Sequence, residues 1–345
     1  MIKKLHFIRA NKTKFGGAEN YLTCLSEALK KQNIDHQILN SKFPKFLPSW
    51  LRAILFNFQV CLFKDDKFYF SLDRITCPDI YRAGDGVHKV FLDIENKSKL
   101  NPLHLTYIFL ENRCFKNSRC IIANSLMVKE QIVKTYDIDP SKIKVIHNGI
   151  AIKEINYQQS FEKLSKEFSL LEGQYIFLYV GSGFKRKGVE EFLKIVSELE
   201  ISNIKAFVIG KEKNIGYYQR LSKKLNIDNL VLFTGPREDV DDFYAISDIF
   251  ILPTHYEPFS NVILEAMSFG NAVFTSKQNG ASEILDDYFI MDSPKDLSVV
   301  SRINDLIVNQ AKLKQIKKDN RAKSKQFSIE KNLSETLKVI NEVIN

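Results

Sequence analysis

Short apolar runs separated by segments of helical period fill almost the whole chain, and that alternation leaves few folds open to it. The runs lie at 5–8, 68–71, 120–123, 144–146, 175–180, 205–209, 230–233, 248–252 and 272–275. Between them, segments such as 18–31, 128–136, 189–199 and 217–225 carry the three-to-four-residue apolar spacing of amphipathic helices. Strands and helices in alternation mean parallel sheets covered on both faces. The pattern breaks once. Val145-Ile146-His147-Asn148-Gly149-Ile150 ends a strand in an Asn-Gly turn pair, and a polar stretch follows to about residue 169 before a new run opens at Tyr175. The chain therefore reads as two α/β domains, 1–150 and 151–328, which suits its 345 residues. A last helix is predicted over 329–344.

Composition narrows the class. Hydrophobic residues at 44% and charged residues at 26% are those of a soluble globular protein. No run approaches the roughly 20 apolar residues of a membrane span. The N-terminus reads as a first strand and not as a signal peptide. Five cysteines without a CxxC pair predict reduced, mostly structural thiols in the cytosol. Charge is uneven: residues 1–150 hold 24 Lys/Arg against 14 Asp/Glu, a balance of +10, whereas 151–345 hold 26 against 27. A basic half points to an anionic partner, whether nucleic acid, anionic lipid or a phosphorylated glycolipid.

The most specific segment is Glu257-Pro258-Phe259-Ser260-Asn261-Val262-Ile263-Leu264-Glu265. Its carboxylates stand eight positions apart, the second about two helical turns beyond the first. Between them Ser260-Asn261-Val262 opens a helix predicted over 262–269, whose first N–H groups lack intrahelical partners and can hold an anion. A nucleotide-sugar fits that order: Glu257 for sugar hydroxyls, donors for the diphosphate, Glu265 for ribose hydroxyls. Upstream, Val180-Gly181-Ser182-Gly183-Phe184-Lys185-Arg186-Lys187-Gly188 sets three cations beside glycines at a strand–helix junction. The Arg fork and the Lys point charge suit a diphosphate, whose departure is an electrostatic task. Phe15-Gly16-Gly17-Ala18-Glu19 joins the first strand to the first helix, where glycines let backbone approach a ligand; its spacing is not the GxGxxG dinucleotide fingerprint. In Tyr81-Arg82-Ala83-Gly84-Asp85-Gly86-Val87-His88, Asp85 and His88 stand three apart in a Gly-flanked loop. After Gly235-Pro236-Arg237, the acids Asp239, Asp241 and Asp242 read as helix N-terminal charges and not as a metal cluster.

In this order the segments resemble the retaining, family-4-type glycosyltransferases of the GT-B fold, over nearly the whole chain and most strongly over 176–285. The run at 180–188 is similar to that of hexosyltransferases that add the first hexose to heptose in the lipopolysaccharide core. The resemblance implies two Rossmann-like domains facing across a cleft, with the C-terminal helix crossing back to the first. It implies catalytic roles for Asp85, Arg186, Lys187 and Glu257. Gly16, Gly17, His88, Gly183, Arg237, Phe259, Ser260, Asn261, Val262 and Glu265 would contact substrate, with Arg237 in the loop that passes the nucleobase. It implies no metal and no cofactor. The donor would be a UDP-hexose, UDP-glucose foremost, and the acceptor an anionic glycolipid met by the basic first domain. The protein would be cytoplasmic, peripheral on the inner face of the membrane, with no nucleic acid partner. Two segments would serve that contact: Leu47, Leu51, Ile54, Leu55, Phe58 and Leu62, and 103–115 with Leu105, Ile108, Phe109 and Phe115. Ser260 stands where many relatives have Gly, which leaves the hexose open. Rival readings are a nucleotide-sugar epimerase of the same fold, a dehydrogenase (opposed by the missing GxGxxG) and a non-catalytic binder of membrane or nucleic acid, which leaves the two glutamates unexplained.

Overall fold

The computed structural model describes residues 4–11, 17–31, 33–154, 156–201 and 203–344, so Gly16 lies outside the described residues. The chain divides into two compact units, Met1–Asn148 with Ile329–Asn345, and Gly149–Ser328.

The first unit is built on six parallel strands: β1 (Leu5–Ile8), β2 (His36–Leu39), β3 (Phe68–Ser71), β4 (Ile80–Ala83), β5 (Cys120–Ala123) and β6 (Ile143–Val145), in the order β2-β1-β3-β4-β5-β6. β1, β3, β4 and β5 are buried at every position, as strands covered on both faces must be. The helix Gly17–Lys31 covers one face with Leu22, Leu25 and Leu29, and Leu333, Leu337 and Ile340 of the final helix, Ile329–Ile344, join the same core. The Tyr21 hydroxyl and Thr336 Oγ1, 3.0 Å apart, tie the two helices together. Two further helices, Ser49–Leu62 and Pro102–Asn117, pack against each other. Pro102 occupies the first turn of the second, and the Asn101 side chain accepts from the Leu103 N–H.

Two expectations change here. Cys61, at the end of the helix Ser49–Leu62, is disulfide-bonded to Cys77 in the loop after β3, with Cα atoms 5.7 Å apart. The pair is 16 residues apart in sequence and adjacent only through tertiary packing, so all-reduced thiols do not hold. Cys24, Cys114 and Cys120 are free. The apolar stripes also divide. Phe56 and Val60 face the core while Phe58 and Leu62 are exposed; Phe115 is fully buried while Leu105 and Phe109 are exposed.

The second unit repeats the plan: β7 (Tyr175–Val180), β8 (Ile204–Ile209), β9 (Val231–Gly235), β10 (Ile249–Leu252), β11 (Ala272–Ser276) and β12 (Ile290–Met291), all parallel, in the order β12-β11-β10-β7-β8-β9. The chain runs outward from β7 to β9 and then restarts at β10 on the other side of β7. Such a reversal opens a crevice beyond the carboxyl ends of the two central strands.

Candidate functional site

Two glycines set the crevice walls. A Cβ on Gly188, at φ +79°, would lie 1.9 Å from the Pro253 carbonyl oxygen, and one on Gly210, at φ +153°, 2.0 Å from that of Gly181. The exits of β7, β8 and β10 are thus pressed together, as only Gly permits. Phe184 is fully buried and anchors the single turn Phe184–Lys187. That turn leaves Lys185 exposed and sends the next two cations inward. Arg186 Nη1 donates to Glu257 Oε2 at 2.7 Å and to the Tyr256 carbonyl at 2.6 Å, and Lys187 Nζ lies 3.4 Å from the same carboxylate oxygen. The Arg186 carbonyl accepts from the His255 N–H at 2.8 Å and the Thr254 hydroxyl at 3.1 Å, which fixes the turn against the end of β10.

Glu257 is held in turn by its backbone: its N–H donates to the Gln278 carbonyl (3.0 Å), and its carbonyl accepts from the Gly280 N–H (2.9 Å). Asn279 Oδ1 accepts from the N–H groups of Ser260 (3.3 Å) and Ala281 (3.1 Å). These contacts aim the start of the helix Asn261–Ser268 into the crevice. Ser260 sits at its cap, but its hydroxyl caps nothing: it is buried without a hydrogen-bond partner among the described residues. Phe259 is buried beside it, and Val262 packs on the core. About one turn on, Glu265 Oε2 accepts from the Tyr244 hydroxyl at 3.1 Å, and burial raises the carboxyl above its ordinary pKa. Gly183, Arg186, Lys187, Glu257, Ser260 and Asn261 therefore gather at the exits of β7 and β10, with Glu265 farther along the helix.

Arg237 is engaged elsewhere. Its fork takes Glu167 at 2.6 and 2.9 Å and Asp239 at 2.8 Å, so it clamps the loop after β9 to the helix Tyr157–Phe168. Asp239 stands at the N-cap position of the helix Val240–Ile246, though its carboxylate is taken by Arg237 and not by the helix N–H groups, and Asp241 and Asp242 lie in the first turn. Among the described residues no three His, Cys, Asp or Glu side chains gather where they could share a metal ion.

In the first unit Gly17 begins the first helix, Asp85 is exposed 4.0 Å from Arg74 Nη1, and His88 begins the helix His88–Ile94. His88 Nε2 is 3.1 Å from His104 Nδ1. Burial, aided by the Arg74 cation, pushes its pKa down to about 4, so the ring is neutral near pH 7. Beneath it lies Glu111, fully buried, accepting from Arg74 Nε (2.9 Å), Tyr136 hydroxyl (2.7 Å) and the His88 N–H (2.8 Å).

Residues 160–323 match the family Glycosyl transferases group 1, and residues 85–154 match Glycosyltransferase Family 4. The chain is a glycosyltransferase that carries a group 1 domain and, ahead of it, a family 4 segment. It is 27% identical over 219 residues to the lipopolysaccharide glucosyltransferase WaaG of Escherichia coli, covering 61% of this chain and 58% of WaaG. An uncharacterized glycosyltransferase of Methanocaldococcus jannaschii is 29% identical over 171 residues, 48% of this chain and 44% of its own. The chain matches about half the length of these relatives. The crystal structure of WaaG aligns with a TM-score of 0.81 at 18% identity, over 97% of this chain and 99% of that one. That of Anabaena HepE, in complex with UDP and glucose, gives 0.74 at 18% identity, over 99% and 100%. The two six-stranded parallel sheets with flanking helices are the GT-B fold.

Within this glycosyltransferase, sequence reading missed Gln278 and Tyr244, which hold the two glutamates, Asn279, which holds the helix start between them, and Glu111 and Arg74, which underlie His88. Each acts across a long sequence gap, and no local motif marks them.

Proposed function

We propose that this glycosyltransferase moves a hexose from a UDP-hexose, UDP-glucose foremost, to an anionic glycolipid, with retention and without a metal ion. The observation that carries the reading is the convergence of Arg186 and Lys187 on one oxygen of Glu257, beside the start of the helix Asn261–Ser268. Two cations and a helix start are a donor set for a diphosphate. Arg186 and Lys187 take up the charge that develops as UDP departs. Glu257 steadies both cations through Oε2 and offers Oε1 to sugar hydroxyls. The orphaned Ser260 hydroxyl gains an acceptor in a phosphate oxygen, and Glu265 accepts from the ribose. Retention follows if the acceptor hydroxyl attacks from the face that UDP leaves: the new glycosidic bond forms as the sugar–phosphate bond breaks, and the departing oxygen takes the proton. Asp85 and neutral His88, in the first unit, would orient the reacting sugar. The kinship with WaaG supports the acceptor class, and the exposed Phe58, Leu62, Leu105 and Phe109 support contact with the cytoplasmic face of a membrane. A panel of UDP, GDP, ADP and their sugars tests it. UDP should raise the melting temperature most, and transfer from UDP-glucose should persist in EDTA with the product anomer unchanged. Stabilisation by NAD, with none by a nucleoside diphosphate, would sink the reading; loss of transfer in EDTA would sink its metal-free part.

A further inference from the structure

A cavity of about 220 Å³ opens in the first unit at the carboxyl ends of β1 and β3. The sheet order reverses between those two strands, and α/β sheets take ligands beyond their carboxyl ends at such a reversal. The cavity is smaller than the roughly 300–1,000 Å³ pockets of drug-sized ligands, which suits a single sugar unit. Its charged lining residues are Lys45, Arg52, Asp73 and Arg74. They do not balance. Asp73 accepts from Arg9 Nη1 at 3.3 Å and from the Ala10 N–H at 2.5 Å. Arg74 gives its Nε to Glu111. Lys45 and Arg52 have no ion pair among the described residues, and so stand as two uncompensated cations in one small space. Tyr107 adds an aromatic face, with Arg74 5.6 Å from its ring centre. Two cations, one carboxylate and an aromatic face are the complement of an anionic sugar: a fork for the phosphate, an acceptor for a hydroxyl, a flat surface for the C–H face of the ring.

We propose that this cavity binds a sugar bearing a phosphate monoester, with Arg52 and Lys45 on the phosphate and Asp73 on a hydroxyl, and that it selects the acceptor by this charge. The acceptor role rests on the transfer reading above; the binding does not. A phosphate monoester can arrive on a free sugar phosphate or on a lipid-linked sugar, so both are tested. Calorimetric titration at low salt would compare glucose 6-phosphate with glucose, and, in detergent micelles, phosphatidylinositol 4-phosphate with phosphatidylinositol; UDP is titrated in parallel. Glucose 6-phosphate should bind at least tenfold more tightly than glucose and lose affinity as salt rises. Arg52→Gln and Lys45→Gln should each weaken it about tenfold and leave UDP affinity unchanged, which also reports that the variants fold. Tighter binding of the phosphorylated lipid than of the free sugar phosphate assigns the lipid-linked source, and the reverse assigns the soluble one. Equal binding of glucose and its phosphate, or binding that ignores salt and both substitutions while UDP still binds, overturns the proposal and spares the donor site. A chain that binds glucose 6-phosphate as described but not UDP upholds this cavity and overturns the donor reading instead.

Discussion

An unsatisfied buried hydroxyl such as that of Ser260 costs about 1–3 kcal/mol, whereas a hydrogen bond to a charged group returns a similar amount. Ser260→Ala should therefore leave the unliganded protein as stable as before, or more so, and weaken UDP-glucose binding about tenfold. Scanning calorimetry with titration separates the two effects; a destabilised variant with full affinity would mean that the hydroxyl serves the protein. On the proposed donor reading, Lys187→Ala and Glu257→Gln change the charge beside the departing diphosphate, and each should lower kcat by about 10²–10³-fold in steady-state assays. Near-normal turnover in Lys187→Ala would reduce the basic turn to surface decoration. Glu265 gives the pH dependence. Its folded pKa is raised, so the folded protein holds this proton more tightly than the unfolded chain. The stability it adds is complete below the ordinary carboxylate range and lost as pH rises through the raised value. On the proposed role of Glu265, ribose is held by the ionised form, so the donor KM should rise on acidification, from a pH above that ordinary range. Glu265→Gln should raise KM throughout and abolish that acid limb; an unchanged limb in the variant assigns it to another group. These residues were legible in sequence because strand, loop and helix start are contiguous, and one short stretch carries both the charge and the element that aims it. Arg237 shows the limit: a cation in the expected loop, with its fork occupied by Glu167, 70 positions away.

Elements meet at Glu111, which joins the helix Pro102–Asn117 to Arg74 after β3, to Tyr136 and to the start of the helix His88–Ile94. Removing one partner of a buried charge pair costs about 3–5 kcal/mol. Glu111→Ala should cost that much in urea unfolding and leave His88 neutral, since the lost carboxylate was the charge that favoured its protonation; a loss under about 1 kcal/mol would mean that water replaces the carboxylate. In sequence Glu111 is the one acid of its helix and is followed directly by Asn112 and Arg113, so nothing marks it as fully buried. β2 and β4 were missed for related reasons. β2, His36-Gln37-Ile38-Leu39, is a four-residue edge strand with its two central residues exposed, and β4 contains Arg82. That arginine is tolerated inside because its guanidinium lies 3.9 Å from the centre of the Tyr21 ring and donates to Asn148 at 2.7 Å. Periodicity registers apolar side chains, not the distant partners that make a charge tolerable in the core. The disulfide was illegible likewise, since Cys61 and Cys77 belong to different elements.

At the scale of the molecule the doubly wound plan was legible twice over, because a parallel sheet must be paid out as strand, helix, strand. What patterning could not show is which apolar residues stay outside. Phe58 and Leu62 are 64% and 73% exposed on one helix, Leu105 and Phe109 53% and 58% on its neighbour, with the Arg113 guanidinium 5.9 Å from the Phe109 ring centre. Apolar groups with cations at their edge suit an anionic interface, where each basic residue adds roughly 1 kcal/mol. The protein should sediment with vesicles containing anionic lipid, be released as salt rises, and bind neutral vesicles far less. Replacing Phe58 and Phe109 by Ser should cut the bound fraction several-fold without changing UDP affinity. Equal sedimentation of the double variant would remove these helices from the contact. The return of the helix Ile329–Ile344 to the first unit bears on how the protein is made. Leu22, Leu25 and Leu29 leave the ribosome well before Leu333, Leu337 and Ile340, which share their core, have been translated. At roughly 5–20 residues per second, that apolar face waits tens of seconds for its cover. The first unit therefore cannot close its core until the second has been translated, and chaperone demand should fall on the first unit of the nascent chain.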